Sequence, residues 1–264
     1  AVARAFPSVR QIRNGANLGY CEGNNVGIRA ALASGAEFVL LVNNDVIVER
    51  GFLAPLLEAA AREPRAGALG PKMLRADSPD TIWAAGGSLA FRENGTRLRG
   101  HGRREAGVFE EGGEVDFIPG CALLLRARAV AEVGLLDPEY FAYVEDVEYA
   151  SRLRASGWKV LYVPASRIYH EASASTGGGY GAARKYAMAL NEVRYLRRHG
   201  DARGWAAFFL FDLFALPLAL AREALRPRGN PRAVLAKGRG LLDGLRGRAV
   251  TSAVLERYRA SASS

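Results

Sequence analysis

The sequence predicts an α/β fold, strands alternating with helices, and three observations carry that expectation. Residues 37–43 (EFVLLVN) form a nearly continuous apolar run without alternation, the pattern of a central strand covered on both faces, as in a parallel sheet. Helical patterns lie on either side of it, at 25–34 and 51–62. A second such unit follows later, where a helical segment at 147–156 leads into the apolar run WKVLYV at 158–163. A chain of 264 residues can bury one large core, or one core plus an appendage.

Each element follows from its residues. Val26, Ala30 and Ala33 share one face of the first helix, which stops before Gly35. After the 51–62 helix, 67–73 reads as a short strand. Residues 77–113 are rich in glycine and charge (Gly86-Gly87, Asn94-Gly95, Gly112-Gly113), an irregular or antiparallel excursion. Strand material returns at 115–125. Val147, Ala150 and Leu153 fall at helical offsets ahead of Gly157. The next strand is expected to end at Pro164, with 167–170 as a further extended piece. Residues 174–181 (ASTGGGYG) read as a flexible breaker and 182–199 as a basic helix.

A hydrophobic content of 49% and a charged content of 24% exclude a disordered chain. Cys21 and Cys121 match no metal-ligand spacing and read as reduced core residues of a cytosolic protein. No signal peptide is expected at the N-terminus. The net charge of +9 is uneven: residues 222–264 hold ten Arg or Lys against three acids. Before that tail, 204–221 (GWAAFFLFDLFALPLALA) is apolar, interrupted by Asp212 and Pro217 and bracketed by Arg203 and Arg222. Eighteen residues and a mid-run acid argue against a simple span. The expectation is a monotopic or re-entrant segment, with Trp205 at the interface and the tail on an anionic membrane. A buried core helix is the alternative. Nucleic acid is not expected as a partner, because the basic charge follows an apolar segment and lacks interleaved aromatics.

Four groups of residues point to chemistry. Glu145 and Asp146 stand where the aromatic stretch YFAYV turns into a helix; near an N-cap the dipole is expected to keep a carboxylate ionised, as a general base requires. Asp45, after Asn43 and Asn44, is delivered to the carboxyl end of a strand, the usual ligand edge, where it suits a hard divalent cation or a turn-forming cap equally. The loop NLGYCEGNN contains Asn17, Gly19, Gly23 and Asn25 and opens a helix whose N–H groups are expected to be free for an anion. His170 ends a strand, and alone is more often structural.

In order and spacing, NLGYCEGNNVGI, FVLLVNNDV and the stretch from VDFIPGCALLLRARAVAEVGLLDPEYFAYVEDVEYASRLRASGWKVLYV to PASRIYH resemble glycosyltransferase family 2 with a GT-A fold, its rhamnosyltransferase-like branch in particular. That resemblance implies a Rossmann-like, mostly parallel sheet flanked by helices, over a catalytic domain at 1–172. A linker and basic helix at 173–203 and an appendage at 204–264 would follow. It implies Asp146 as catalytic base beside Glu145, and Asp45 with His170 holding Mg²⁺ or Mn²⁺ on the donor diphosphate. Asn17, Gly19, Gly23, Asn25, Asn43 and Asn44 would line the nucleotide side. Asp116, Gly120 and Trp83 would line the donor-sugar and acceptor cleft. Relatives begin with two strand–helix units before the segment matching Val9, so this chain is expected to lack the start of its nucleotide-binding half.

The implied activity is inverting transfer of a sugar from a nucleotide-sugar donor, dTDP-rhamnose-like or a UDP-sugar, to a saccharide or lipid-linked acceptor in envelope polysaccharide synthesis, at the inner face of the cell membrane. Two other readings stay open at this stage: a non-catalytic nucleotide- or sugar-binding fragment, and a nucleotidyltransferase of related fold.

Overall fold

Apolar runs with helices before and after them collapse into a layered sheet, and the computed structural model describes this for residues 2–171, 181–227 and 229–260. A one-turn, exposed helix α1 (Val2–Ala5) precedes α2 (Gly19–Ala33). Strand β1 (Phe38–Val42) turns at residues 43–45 into β2 (Val46–Val48), and α3 (Leu53–Arg62) leads to β3 (Ala66–Arg75). The excursion contains β4 (Ile82–Ala84), the pair β5 (Gly87–Leu89) and β6 (Thr96–Leu98), and β7 (Gly113–Glu114). Then come β8 (Ala122–Arg126), α4 (Ala127–Val133), α5 (Glu145–Ala155) and β9 (Lys159–His170).

The main sheet runs β1-β8-β3-β9-β2, with β4 beside β3 and β7 beside β9. The α/β prediction holds, but the expected mostly parallel sheet does not. Only β3 and β9 pair in parallel; the remaining pairings of this sheet are antiparallel. The physical reason is that an unbroken apolar run reports cover on both faces and says nothing of strand direction. In β1, Val39 and Leu41 join the main core, whereas Phe38 and Leu40 face the cluster built on Leu56 and Ala60 of α3. β1 therefore has both faces covered while lying at an edge of the described sheet, not at its centre. Pro164 does not end its strand either. β9 continues through it, and the pairing with β3 slips between Pro71 and Lys72, an irregularity of the kind that accommodates proline.

The breaker expected at 174–181 lies outside the described residues up to 180. Beyond it, α6 (Ala182–His199) has the predicted bounds. Ala202–Leu225 is one helical run of 24 residues, made of α7 (Ala202–Ala207), a π-helical stretch (Phe208–Phe214) and α8 (Leu216–Leu225). By length and composition it could cross a membrane, which corrects the argument from an 18-residue segment. Pro217 sits in the first turn of α8, where a missing N–H costs nothing. Leu210, Phe214, Leu218 and Leu225 are exposed, while Asp212 is fully buried on the other side. Only 17% of the apolar window is buried, so this is not a core helix.

The basic tail folds back instead of hanging free. Helices α9 (Pro231–Leu245) and α10 (Ser252–Ala260) pack on α6 through Ala236, Val250 and Leu255 against Ala183, Tyr186 and Ala187. A Cβ at Gly240 would come within 2.3 Å of the Tyr186 carbonyl oxygen, so this helix crossing needs glycine. Asp243 accepts from the Tyr186 hydroxyl at 3.0 Å and pairs with Arg239 and Arg248 at 3.1 and 3.2 Å. Lys237 is buried between Asp212 and Glu93, 2.7 Å from each. Much of the tail's charge is thus answered within the protein.

Candidate active site

Asp146 is held at the start of α5 by backbone. Its Oδ2 accepts from the Gly120 N–H at 3.1 Å and its Oδ1 from the Val147 N–H at 2.9 Å. Gly120 also accepts a hydrogen bond from the Tyr20 hydroxyl, and a Cβ there would meet that hydroxyl oxygen at 2.7 Å. Glu145 is buried, with Oε2 lacking any hydrogen-bond partner. Burial, and then the Asp146 charge, push the Glu145 carboxyl up to about 8. Burial raises Asp146 too, against the pull of its backbone donors. The expectation that the helix dipole keeps this pair ionised therefore fails: desolvation of two adjacent carboxylates outweighs a half charge at the helix end. At neutral pH Glu145 carries the proton of the pair, and Asp146, with two N–H donors, is its better anion.

The loop before α5 is strained. Phe141, Tyr143 and Val144 have φ of 56°, 72° and 71°, a region that L-residues with large or branched side chains rarely adopt. Two anchors hold it. The Phe141 carbonyl accepts from the N–H groups of Tyr20 (2.6 Å) and Cys21 (3.3 Å). Asn191, buried in α6, donates through Nδ2 to the carbonyls of Tyr140, Ala142 and Tyr143 at 2.7–2.9 Å. Sequence reading passed over both Asn191 and Tyr20. An asparagine among the apolar residues of a helix face is the signal that would have marked the first, because a buried amide needs partners.

Asp45 and His170 come together across β2 and β9. His170 Nε2 stands 3.6 Å from Asp45 Oδ1, too far for a hydrogen bond. Asp45 Oδ1 and His170 Nδ1 are buried with no hydrogen-bond partner. The Trp83 indole packs edge-on against the imidazole with ring centres 4.4 Å apart. Burial lowers the His170 pKa, the Asp45 charge opposes this, and Arg184 adds to the lowering; the neutral imidazole it favours is the form that ligates metal. Arg184, on the first turn of α6, is a further residue the sequence did not single out. One carboxylate and one imidazole with unspent donor atoms fit a hard divalent cation whose other ligands are substrate oxygens and water. Among the described residues no group of three or more His, Cys, Asp or Glu could form a complete cage.

The two carboxylate sites share one end of the sheet. The Asn43 N–H donates to the Cys121 carbonyl at 2.9 Å, tying the end of β1 to the residue after Gly120. The buried Cys121 thiol is pushed up by desolvation first, then by the charges of Asp146 and Asp45. Both cysteines are free and buried, as expected.

The remaining candidates are less convergent. The segment 17–25 is not an open loop: α2 starts at Gly19, six residues before the predicted start. Its first N–H groups are already taken, Gly19 by Asn17 Oδ1 at 3.0 Å and the next two by Phe141. The expectation of free N–H groups for an anion is corrected accordingly. Gly19 has φ +77°, and a Cβ there would lie 2.6 Å from the Phe141 ring, so glycine is needed for that docking. Asn25 is buried and braces Leu136 through both backbone groups, at 2.8 and 3.0 Å. Gly23 borders open space and Asn44 is exposed. Asp116 is engaged by the Leu89 N–H at 2.8 Å and by Arg154 at 3.0 Å, a role in fixing the β5–β6 pair.

Comparison with known proteins gives this geometry a family. Residues 1–186 match the family described as "Glycosyltransferase like family 2". The chain belongs to it. Over 201 residues it is 33% identical to an N-acetylglucosaminyl-diphospho-decaprenol L-rhamnosyltransferase of Mycobacterium tuberculosis, covering 67% of this chain and 63% of the relative. The chain thus spans less than two thirds of that relative's length. An uncharacterized protein of Mycobacterium bovis is 27% identical over 198 residues, covering 73% of this chain and 68% of that protein. In fold, the chain is similar to the crystal structure of GalNAc-T7 with UDP, GalNAc and Mn²⁺, with a TM-score of 0.56 at 16% identity over 89% of this chain and 44% of that one. The GT-A architecture of this family-2 chain, a mixed sheet flanked by helices, agrees with that similarity.

Proposed function

We propose that this family-2 chain carries the catalytic residues for inverting transfer of a sugar from a nucleotide-sugar donor to a saccharide on a lipid diphosphate. The observation that carries the reading is Asp146: a half-buried carboxylate aimed by two backbone N–H groups, with no cation paired to it among the described residues, at the sheet end it shares with Asp45 and His170. Asp146 takes the proton of the acceptor hydroxyl as that oxygen attacks the anomeric carbon opposite the leaving diphosphate. Glu145, protonated, keeps a second charge away from the base. Asp45 and His170 would hold Mg²⁺ or Mn²⁺, which when bound supplies charge stabilisation for the leaving diphosphate. Asn43, Asn44 and Gly23 are the candidates left to meet the nucleotide side. The rhamnosyltransferase relative supports a deoxyhexose or hexose donor and a prenol-linked acceptor.

The helical run at Ala202–Leu225 supports docking on a membrane surface. Its exposed leucines and Phe214 form the apolar side, while the buried Asp212 is tied to α9 and to the β5–β6 hairpin. Crossing the bilayer would drag those elements into hydrocarbon, so an orientation in the interface plane on the cytoplasmic side fits better. Calorimetry with dTDP and UDP, with and without Mn²⁺, tests the donor site. Metal-dependent binding that is lost in Asp45→Ala is expected; equal affinity in variant and parent would leave Asp45 as a turn former.

A further inference from the structure

A groove of about 610 Å³ opens beside the β5–β6 hairpin, lined by Arg92, Arg97, Arg99, His101, Arg103 and Phe109 among others. Among the described residues no carboxylate lines it. Among the described residues none of these four arginines is ion-paired, although neighbouring cations are: Arg104 meets Asp80 at 3.6 Å, and Lys72 takes Glu105 and Glu110. Arg99 and Arg103 lie over the Phe109 ring at 5.7 and 5.4 Å, which stiffens their guanidinium groups without neutralising them. Unanswered guanidinium groups converging on one groove suit the oxygens of a phosphate or diphosphate.

Two connections narrow the ligand. At one end, the His101 ring nitrogen Nδ1 is 2.8 Å from the Trp83 carbonyl oxygen, and Trp83 packs on His170 of the candidate metal site. At the other, Arg92 follows Phe91, whose ring meets Phe211 at 5.5 Å, and the Asn94 N–H donates to Asp212 at 3.1 Å. The hairpin carrying the groove is therefore clamped to the helical run that exposes Leu210, Phe214 and Leu218. Nucleic acid fits less well, because two arginines already lie over the Phe109 ring and His101 is held on the Trp83 carbonyl, which limits the stacking surface.

We infer that this arginine groove binds the phosphate or diphosphate headgroup of the lipid-linked acceptor, its apolar chain lying along the exposed stripe of the 202–225 helix. The role as acceptor site rests on the transferase reading; the headgroup binding does not. The test uses the full chain in detergent with farnesyl diphosphate as probe, and farnesol, inorganic diphosphate, phosphatidylglycerol vesicles and a single-stranded oligonucleotide as comparators. Farnesyl diphosphate is expected to bind more tightly than farnesol or inorganic diphosphate. R97E/R103E should weaken it at least about tenfold, and R97K/R103K by less. Both side chains belong to exposed residues, and circular dichroism checks the fold; a single R97Q serves if the double variant unfolds. Mn²⁺-dependent nucleotide binding should be unchanged in these variants. Equal affinity in parent and variant overturns the groove. Inorganic diphosphate binding as tightly as farnesyl diphosphate, displacement by the oligonucleotide, or equal, variant-sensitive binding of phosphatidylglycerol vesicles overturns the lipid-linked headgroup as ligand. Parallel loss of nucleotide binding would make these arginines part of the donor site instead. If the parent binds farnesyl diphosphate through the groove but no nucleotide, the groove stands and the transferase reading falls.

Discussion

Two acidic clusters, each with a buried carboxylate at its heart, sit in one molecule and are treated in opposite ways. At the sheet end, Asp146 meets backbone donors, and among the described residues one oxygen of Glu145 has no partner and no cation pairs with either carboxylate. Among the C-terminal helices, Asp212 and Glu93 close on Lys237, with Lys185 3.6 Å from Glu93. Glu192, beside Asp212, is held well above the carboxylate range by burial and that neighbour's charge. The second cluster joins four pieces of chain, the hairpin tip, α6, the apolar run and α9, and its charges are largely spent on one another. The first keeps its charge unspent in a strained loop. What separates the two clusters is the counter-charge: among the described residues the first has none and follows a strained loop, whereas the second is closed by lysine.

The sharpest way to break this contrast is at the unspent cluster. Asp146→Asn keeps the shape and the Gly120 side of the bonding while removing the proposed base. Transfer should fall about 10³-fold or more, with donor affinity within a factor of two or so; near-parental turnover in single-turnover kinetics would end the assignment. The spent cluster should respond in stability instead. Lys237→Met leaves the buried Asp212 without its cation, a loss of about 3–5 kcal/mol in denaturant unfolding. Lys237→Met with Asp212→Leu should recover part of it. A single variant as stable as the parent would mean that the lysine contributes no net stability.

Glu145 tests the electrostatic half of the comparison. Its folded pKa lies above its unfolded one, so between about 4.5 and about 8 the native state binds more protons than the unfolded state. Stability from this group is therefore present at low pH and lost as pH rises through about 8. Glu145→Gln should flatten the fall in stability between pH 6 and pH 9 by on the order of 2 kcal/mol. Parallel pH–stability curves for parent and variant would show that Glu145 ionises normally.

Asn191→Leu sharpens the role of the strained loop. Three carbonyls lose their donor, so about 1–3 kcal/mol of stability should go. Turnover should fall further than donor affinity, since the loop sets the direction of Asp146. If kcat is unchanged at a temperature where the variant is folded, Asn191 supports the fold without positioning the base. The smallest effect is expected from His170→Ala, less than about tenfold in Mn²⁺ affinity, because Asp45, diphosphate oxygens and water can keep the ion.

Local pattern alone indicated much of this protein. Apolar runs located β1 and β9, helical offsets located α5 and the second half of α2, and the resemblance singled out Asp45, Asp146 and His170, because each of these signals is written in neighbouring residues. Strand direction was not legible, since an apolar run covered on both faces looks the same in either sense. Nor was the start of α2, whose glycines and asparagines read as a loop until Phe141 and Leu136 supply the contacts that make them helical. The titration of Glu145 and Asp146 depends on how much water the folded chain removes around them, a quantity no sequence window contains. The same holds for Asn191 under the loop, Lys237 between Asp212 and Glu93, and the arginines of the groove. Which charges find a partner is decided only when distant segments meet, so tertiary structure separated the spent charges from the available ones.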